Sequence, residues 1–134
     1  MNNTNYPQII SVLKCWKELD HQPLVGLLSD DFTYESTWVI NPITGKENFI
    51  DFIEKKFRSV KDAVEKNETS LSFQLVQIEE FEDQYFIKVK QITKCIQYEF
   101  LISVLDKDGL INKIIILPAH DGFTLKTVSD MLVE

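Results

Sequence analysis

Histidine and cysteine are scarce, with two of each in 134 residues. Cys15 and Cys95 stand far apart, with no CxxC and no histidine at zinc spacing. Reduced thiols acting as small apolar fillers are therefore expected, with no bridge, metal site or cofactor. Glycine and proline number four each, and no Ser-rich or Gln-rich run occurs, which excludes a long linker or disordered tail beyond the first few residues. Basic residues are outnumbered 14 to 21, leaving a net charge of -7. Association with phosphate backbones or anionic lipid would begin in repulsion, so nucleic acid is not an expected partner. No window approaches the roughly 20 apolar residues of a membrane span. The start, "MNNTNYPQ", has neither the basic opening nor the apolar core of a signal peptide. The expectation is a cytoplasmic protein with no membrane partner.

Hydrophobic residues make up 44% of the chain, enough at this length for one domain over 1–134 that buries well over half of its unfolded surface. Thr4 or Asn5 can cap a first helix, in which Ile9, Ile10, Val12, Leu13, Trp16 and Leu19 recur at helical spacing. Pro23 then opens a short apolar helical turn carrying Leu24, Val25, Leu27 and Leu28, which Ser29-Asp30-Asp31 ends. From Phe32 the period becomes two, the pattern of a strand wet on one face. After the turn "INPITG", Thr44 and Glu47 stand at capping-box spacing before a long helix. Its apolar stripe is Phe49, Ile50, Phe52, Ile53, Phe57, Val60 and Val64. Asp51 with Lys55, Glu54 with Arg58 and Asp62 with Lys66 stand at i,i+4 on its wet face.

After Asn67 four strands follow, "TSLSFQLVQIEEF", "QYFIKVKQITK", "IQYEFLISVL" and "LINKIIILPA", with breaks at "EDQ" and at the hairpin turn "DKDG". In the tail, Phe123, Leu125, Val128 and Leu132 have the spacing of a short helix that covers apolar surface. Helices first and strands last imply an α+β domain, an antiparallel sheet covered on one face by helices.

In element order, and in "LVGLLSDDFTYES" followed by "GKENFIDFIEKKF", the chain resembles the NTF2-like superfamily. In that fold a strongly curved antiparallel sheet wraps three N-terminal helices into a cone. The acidic pair before the first strand and the glycine opening the long helix are similar to those of SnoaL-like polyketide cyclases and ketosteroid isomerases. The resemblance covers nearly the whole chain and implies an apolar pocket for a small hydrophobic molecule. It also implies a homodimer through the outer sheet face.

The same resemblance places Ser36 where ketosteroid isomerases carry their carboxylate base. A hydroxyl protonated near neutral pH cannot take a proton from carbon unaided, and Glu35 points the other way along a regular strand. The tyrosine and protonated acid of the isomerase oxyanion site fall at Val12 and near Leu101, leaving Glu99, on the same strand face as Leu101, as the one acid nearby. Steroid-type isomerisation is not expected. SnoaL-like cyclases use acids and histidines near the pocket mouth, which directs attention to His120 and Asp121 in "LPAHDG". A histidine titrates near neutrality, so His120 is the candidate acid-base group, with Asp121 beside it. The bland alternative is a polar turn after the last strand.

Phe32, Tyr34, Ser36 and Trp38 alternate on one face of the first strand. The first two read as core. Ser36 and Trp38, nearer the open end, suit either core or a pocket in which apolar walls bury a ligand and a few polar groups orient it. The candidate ligand-binding set is Trp16, Tyr34, Ser36, Trp38, Tyr98 and Glu99. On the third late strand, hydrophobicity turns Ile96, Tyr98, Phe100, Ile102 and Val104 inward. The family register instead turns Leu101 and Ser103 inward and leaves the even set as an outer, dimer-forming stripe. Two function classes remain open. One is a cyclase, isomerase or hydratase-type enzyme acting on an apolar cyclic or polyketide-like molecule. The other is a non-catalytic binding or dimerisation module, and a cone filled by side chains would end the enzyme reading.

Overall fold

The computed structural model describes residues 6–36, 41–79, 81–118 and 125–131, with 81–83 and 125–131 as backbone. Helix α1, Tyr6–Glu18, buries Ile9, Val12, Leu13, Cys15 and Trp16, close to the face expected from their spacing. It ends where Leu19 takes a φ of 52° and the Asp20 N-H closes back on the Cys15 carbonyl at 3.0 Å, a left-handed helix stop. A single 3-10 turn, Gln22–Leu24, follows with Pro23 inside it. The expected helical continuation to Leu28 does not form. Strand β1 runs Leu28–Ser36 and already contains Ser29, Asp30 and Asp31. Tertiary pairing overrides the local pattern: the Ile111 N-H donates to the Leu27 carbonyl at 2.8 Å. An irregularity between Leu28 and Thr33 takes up the exposed aspartates.

A two-residue strand β2, Ile43–Thr44, pairs antiparallel with β1, and the Gly45 N-H donates to the Phe32 carbonyl at 2.7 Å. Gly45 is the N-cap of helix α2, Lys46–Glu65, with φ 89° and no side-chain cap. The expected capping box is therefore absent. Thr44 is committed to the strand, and its carbonyl accepts from Asn48 Nδ2 at 3.0 Å. The positive φ explains the glycine, since a Cβ there is strained. Along α2, Phe49, Ile53 and Phe57 are buried at i, i+4 and i+8. The opposite face carries the expected pairs Asp51–Lys55, Glu54–Arg58 and Asp62–Lys66.

Strands β3 (Thr69–Ile78), β4 (Phe81–Thr93), β5 (Ile96–Lys107), β6 (Leu110–Pro118) and β7 (Leu125–Met131) complete a sheet of order β2-β1-β6-β5-β4-β3-β7. The sheet is curved and unclosed. β3 to β6 form an antiparallel meander, whereas β1 lies parallel to β6. The helix expected for the tail is instead β7, antiparallel to β3 from Phe73 to Ile78. An open edge of unpaired N-H and C=O groups offers an extended chain more hydrogen bonds than a two-turn helix offers itself. β4 also starts at Phe81, ahead of the break expected at "EDQ".

The register of β5 decides which face is inside. Ile102 and Val104 join the main core with Phe32, Phe49 and Ile114, and Phe100 packs against it. Leu101 belongs to a separate outer cluster with Val76, Ile78 and Phe86. Hydrophobic patterning is thus the correct guide and the family register is not. The even-numbered set is no outer stripe for a dimer contact.

Candidate functional site

The core fills one end of the curved sheet, where Val104, Ile111 and Ile114 are fully buried. At the other end the helices and sheet enclose a cavity of about 460 Å³, within the usual size of small-molecule sites. α1 contributes Trp16, which meets Phe57 edge-on with ring centroids 5.0 Å apart. α2 contributes Phe52, Lys56 and Val60, a row at i, i+4 and i+8 on one helix face. The sheet contributes Tyr34 and Ser36 from β1, Gln91 and Thr93 from β4, Tyr98 and Phe100 from β5, and Ile116 from β6.

Tyr34 belongs to both core and cavity. Only 2% of it is exposed, and its ring packs 5.1 Å from Phe49 and 5.3 Å from Phe52. Its phenol shares a hydrogen bond with Ser36, the next residue on the same strand face. Burial pushes the phenol up to about 12, with the Ser36 bond working in the other direction. At neutral pH Tyr34 is therefore a hydrogen-bonding group and not a base. Near the β4–β5 turn, Thr69 Oγ1 lies 2.7 Å from Thr93 Oγ1. Gln91 Nε2 donates to Thr69 Oγ1 at 3.2 Å, so the β4 wall carries a rigid polar edge. Tyr98 also lines the cavity and is 47% exposed.

Lys56 was not among the candidates, and it is the only cation on the described cavity wall. The residue is exposed overall, and partial desolvation beside the apolar wall lowers its amine below the usual lysine value of 10.5. A signal was available: one lysine interrupts the apolar row from Phe52 to Val60.

Of the candidates, Trp16, Tyr34, Ser36 and Tyr98 come together on the cavity wall. Glu99 does not. It projects from the other sheet face, where Lys88 Nζ lies 3.6 Å away and Gln97 Nε2 donates to it at 2.8 Å. A one-residue offset on a strand reverses the face, and the inward turn of Tyr98 and Phe100 sends Glu99 and Leu101 out. Val12 is buried in the core. Trp38, His120 and Asp121 lie outside the described residues; β1 ends at Ser36 and β6 at Pro118.

No protein-family model matches this sequence, and no curated protein sequence matches it. Solved structures do. An NTF2-like protein of unknown function from Cytophaga hutchinsonii superposes with a TM-score of 0.59 at 15% identity, over 80% of this chain and 92% of that one. The fold is NTF2-like. A steroid delta-isomerase from Pseudomonas aeruginosa shares the NTF2-like frame at a TM-score of 0.64 and 10% identity, over 87% of this chain and 80% of its own. So does a putative SnoaL-like polyketide cyclase from Jannaschia, at 0.57 and 11%, over 81% and 83%. Within that common NTF2-like frame, the polar groups on this chain's cavity wall are Tyr34, Ser36, Lys56, Gln91, Thr93 and Tyr98. Among the described residues no helix is long and apolar enough to cross a membrane.

Proposed function

We propose that the domain binds a small, largely apolar molecule in the cavity between α1, α2 and the sheet. The observation that carries this reading is the cavity itself. A space of about 460 Å³, walled by Trp16, Phe52, Val60 and Phe100 and edged by a few polar groups, has the composition of a ligand site. The steroid delta-isomerase and SnoaL-like cyclase that share the frame make a cyclic or polyketide-like ligand the leading class.

No carboxylate or imidazole stands among the described lining residues. Proton transfer to or from carbon therefore falls, in this proposal, to His120 with Asp121, following the strand β6 that ends beside the cavity. Binding is the primary function and turnover a property of that pair. The pairing of two chains through the outer sheet is no part of the proposal. The even-numbered stripe of β5 faces inward, and the outer face carries the apolar cluster of Val76, Phe86 and Leu101 beside the Lys88–Glu99 pair.

Trp16 provides the test. Titration with a panel of cyclic apolar molecules should saturably change the fluorescence of a Trp38→Phe variant, in which Trp16 is the remaining tryptophan, and raise the melting temperature of the parent, since a ligand bound only by the folded state stabilises it. Phe52→Trp should weaken binding by filling the cavity. A panel that leaves both emission and melting temperature unmoved would sink the reading. His120→Ala should abolish any turnover found while preserving binding.

A further inference from the structure

Of the described lysines, Lys56 alone lines the cavity, and it is one of those without an ion pair. Lys46, Lys55, Lys66, Lys88 and Lys113 each lie within 3.6 Å of a carboxylate oxygen, on Asp30, Asp51, Asp62, Glu99 and Glu35. Lys56 makes no ion pair among the described residues, and no aspartate or glutamate shares the described cavity wall with it. Its neighbours along the helix row are Phe52 and Val60, and Phe57 and Trp16 close the wall beside it. Lys56 is exposed overall, but a cation on a largely apolar wall with no counter-ion beside it favours an anion over a neutral group.

We propose that the occupant of this cavity is an apolar-bodied monocarboxylate whose carboxylate pairs with the Lys56 ammonium. The proposal rests on the cavity being a ligand site and adds the chemistry of the ligand's head. The aromatic walls take the body, and the head reaches the one cation. Tyr98, which also lines the cavity and has no hydrogen-bond partner among the described residues, supplies a phenol donor for a second carboxylate lone pair. The lowered proton affinity of the amine has the same origin as the proposed selectivity, since desolvation that disfavours a lone ammonium strengthens its attraction for an anion. A neutral ligand of the same shape would leave that ammonium unpaired.

The test compares matched acids and alcohols by calorimetric titration of the full chain: 4-phenylbutyrate against 4-phenylbutan-1-ol, and octanoate against octan-1-ol. The acids should bind at least about tenfold more tightly, the scale of a charge-assisted hydrogen bond. Lys56→Met should erase that advantage and keep the affinity for the alcohols, and Lys56→Arg should keep most of the preference. Circular dichroism melts of both variants report that the fold is retained. Equal affinity of acid and alcohol for the parent protein, or an acid preference that survives in Lys56→Met, overturns the assignment and leaves the ligand site standing. Binding of neither acid nor alcohol overturns the ligand site, and this proposal with it.

Discussion

Cys15 and Cys95 show how place decides the chemistry of one residue type. Cys15 is buried in α1 and Cys95 is exposed at the β4–β5 turn. Burial, reinforced by Asp20 and Glu18, pushes the Cys15 thiol up to about 12, so little of it is the reactive thiolate at neutral pH. A disulfide reagent should therefore titrate one thiol in the native protein and two in denaturant. Tyr34 makes a second prediction at this scale. Its folded value, about 12, lies above the ordinary 10.0, so the folded state holds the phenolic proton more tightly than the unfolded chain does. The resulting stability is fully present below about pH 10 and is lost as pH rises through about 12. Urea melts at about pH 9 and about pH 11 should show a smaller loss in Tyr34→Phe than in the parent, the remainder including the loss from Cys15, whose raised value titrates over the same range. Lys56 works with the opposite sign. Its lowered value means that protonation at neutral pH opposes folding, and Lys56→Met should melt no lower than the parent. Alternation alone puts Tyr34 and Ser36 on one strand face, because a strand's period of two is rigid, but it does not separate cavity from core. Lys56 escaped because charged residues on helices are ordinarily solvated, and only the side on which it lies distinguishes it from Lys55.

Two hairpins show what an element reveals in sequence and what it hides. Asp108 and Gly109 have φ of 56° and 85°, and Lys94 and Cys95 have φ of 54° and 65°. Each pair forms a two-residue connection, between Lys107 and Leu110 and between Thr93 and Ile96. Asp-Gly announces that geometry. Lys-Cys adopts it against its own preference, held by long strands on either side, which is why the sequence carries no turn signal at this boundary. Replacing Lys94-Cys95 with Asn-Gly should relieve the strain and raise stability by about 1 kcal/mol, measured as a higher urea midpoint at unchanged slope. β7 and the early start of β1 escaped for a related reason. Both exist because a distant strand offers backbone partners, β3 for one and β6 for the other, and local periodicity carries no record of an edge that awaits pairing. α2 was legible nearly to the residue because its buried row, its ion pairs and its opening glycine are all local.

At the scale of the whole molecule, the parallel contact between β1 and β6 joins residues near the start of the chain to residues near its end. Tyr34 and Ser36 stand on one side of that seam, opposite Ile114 and Ile116 on the other, and the cavity draws on both. The loop that closes the seam spans most of the chain, and contacts of such sequence separation are slow to form. The meander from β3 to β6, with its short turns, can assemble first, and the cavity comes into being only when β1 docks. A molecule held across the seam then acts as a clasp. It resists the parting of β1 from β6 and ties its own escape to that motion, so its dwell time is set by how often the protein opens as well as by the grip of the side chains that touch it.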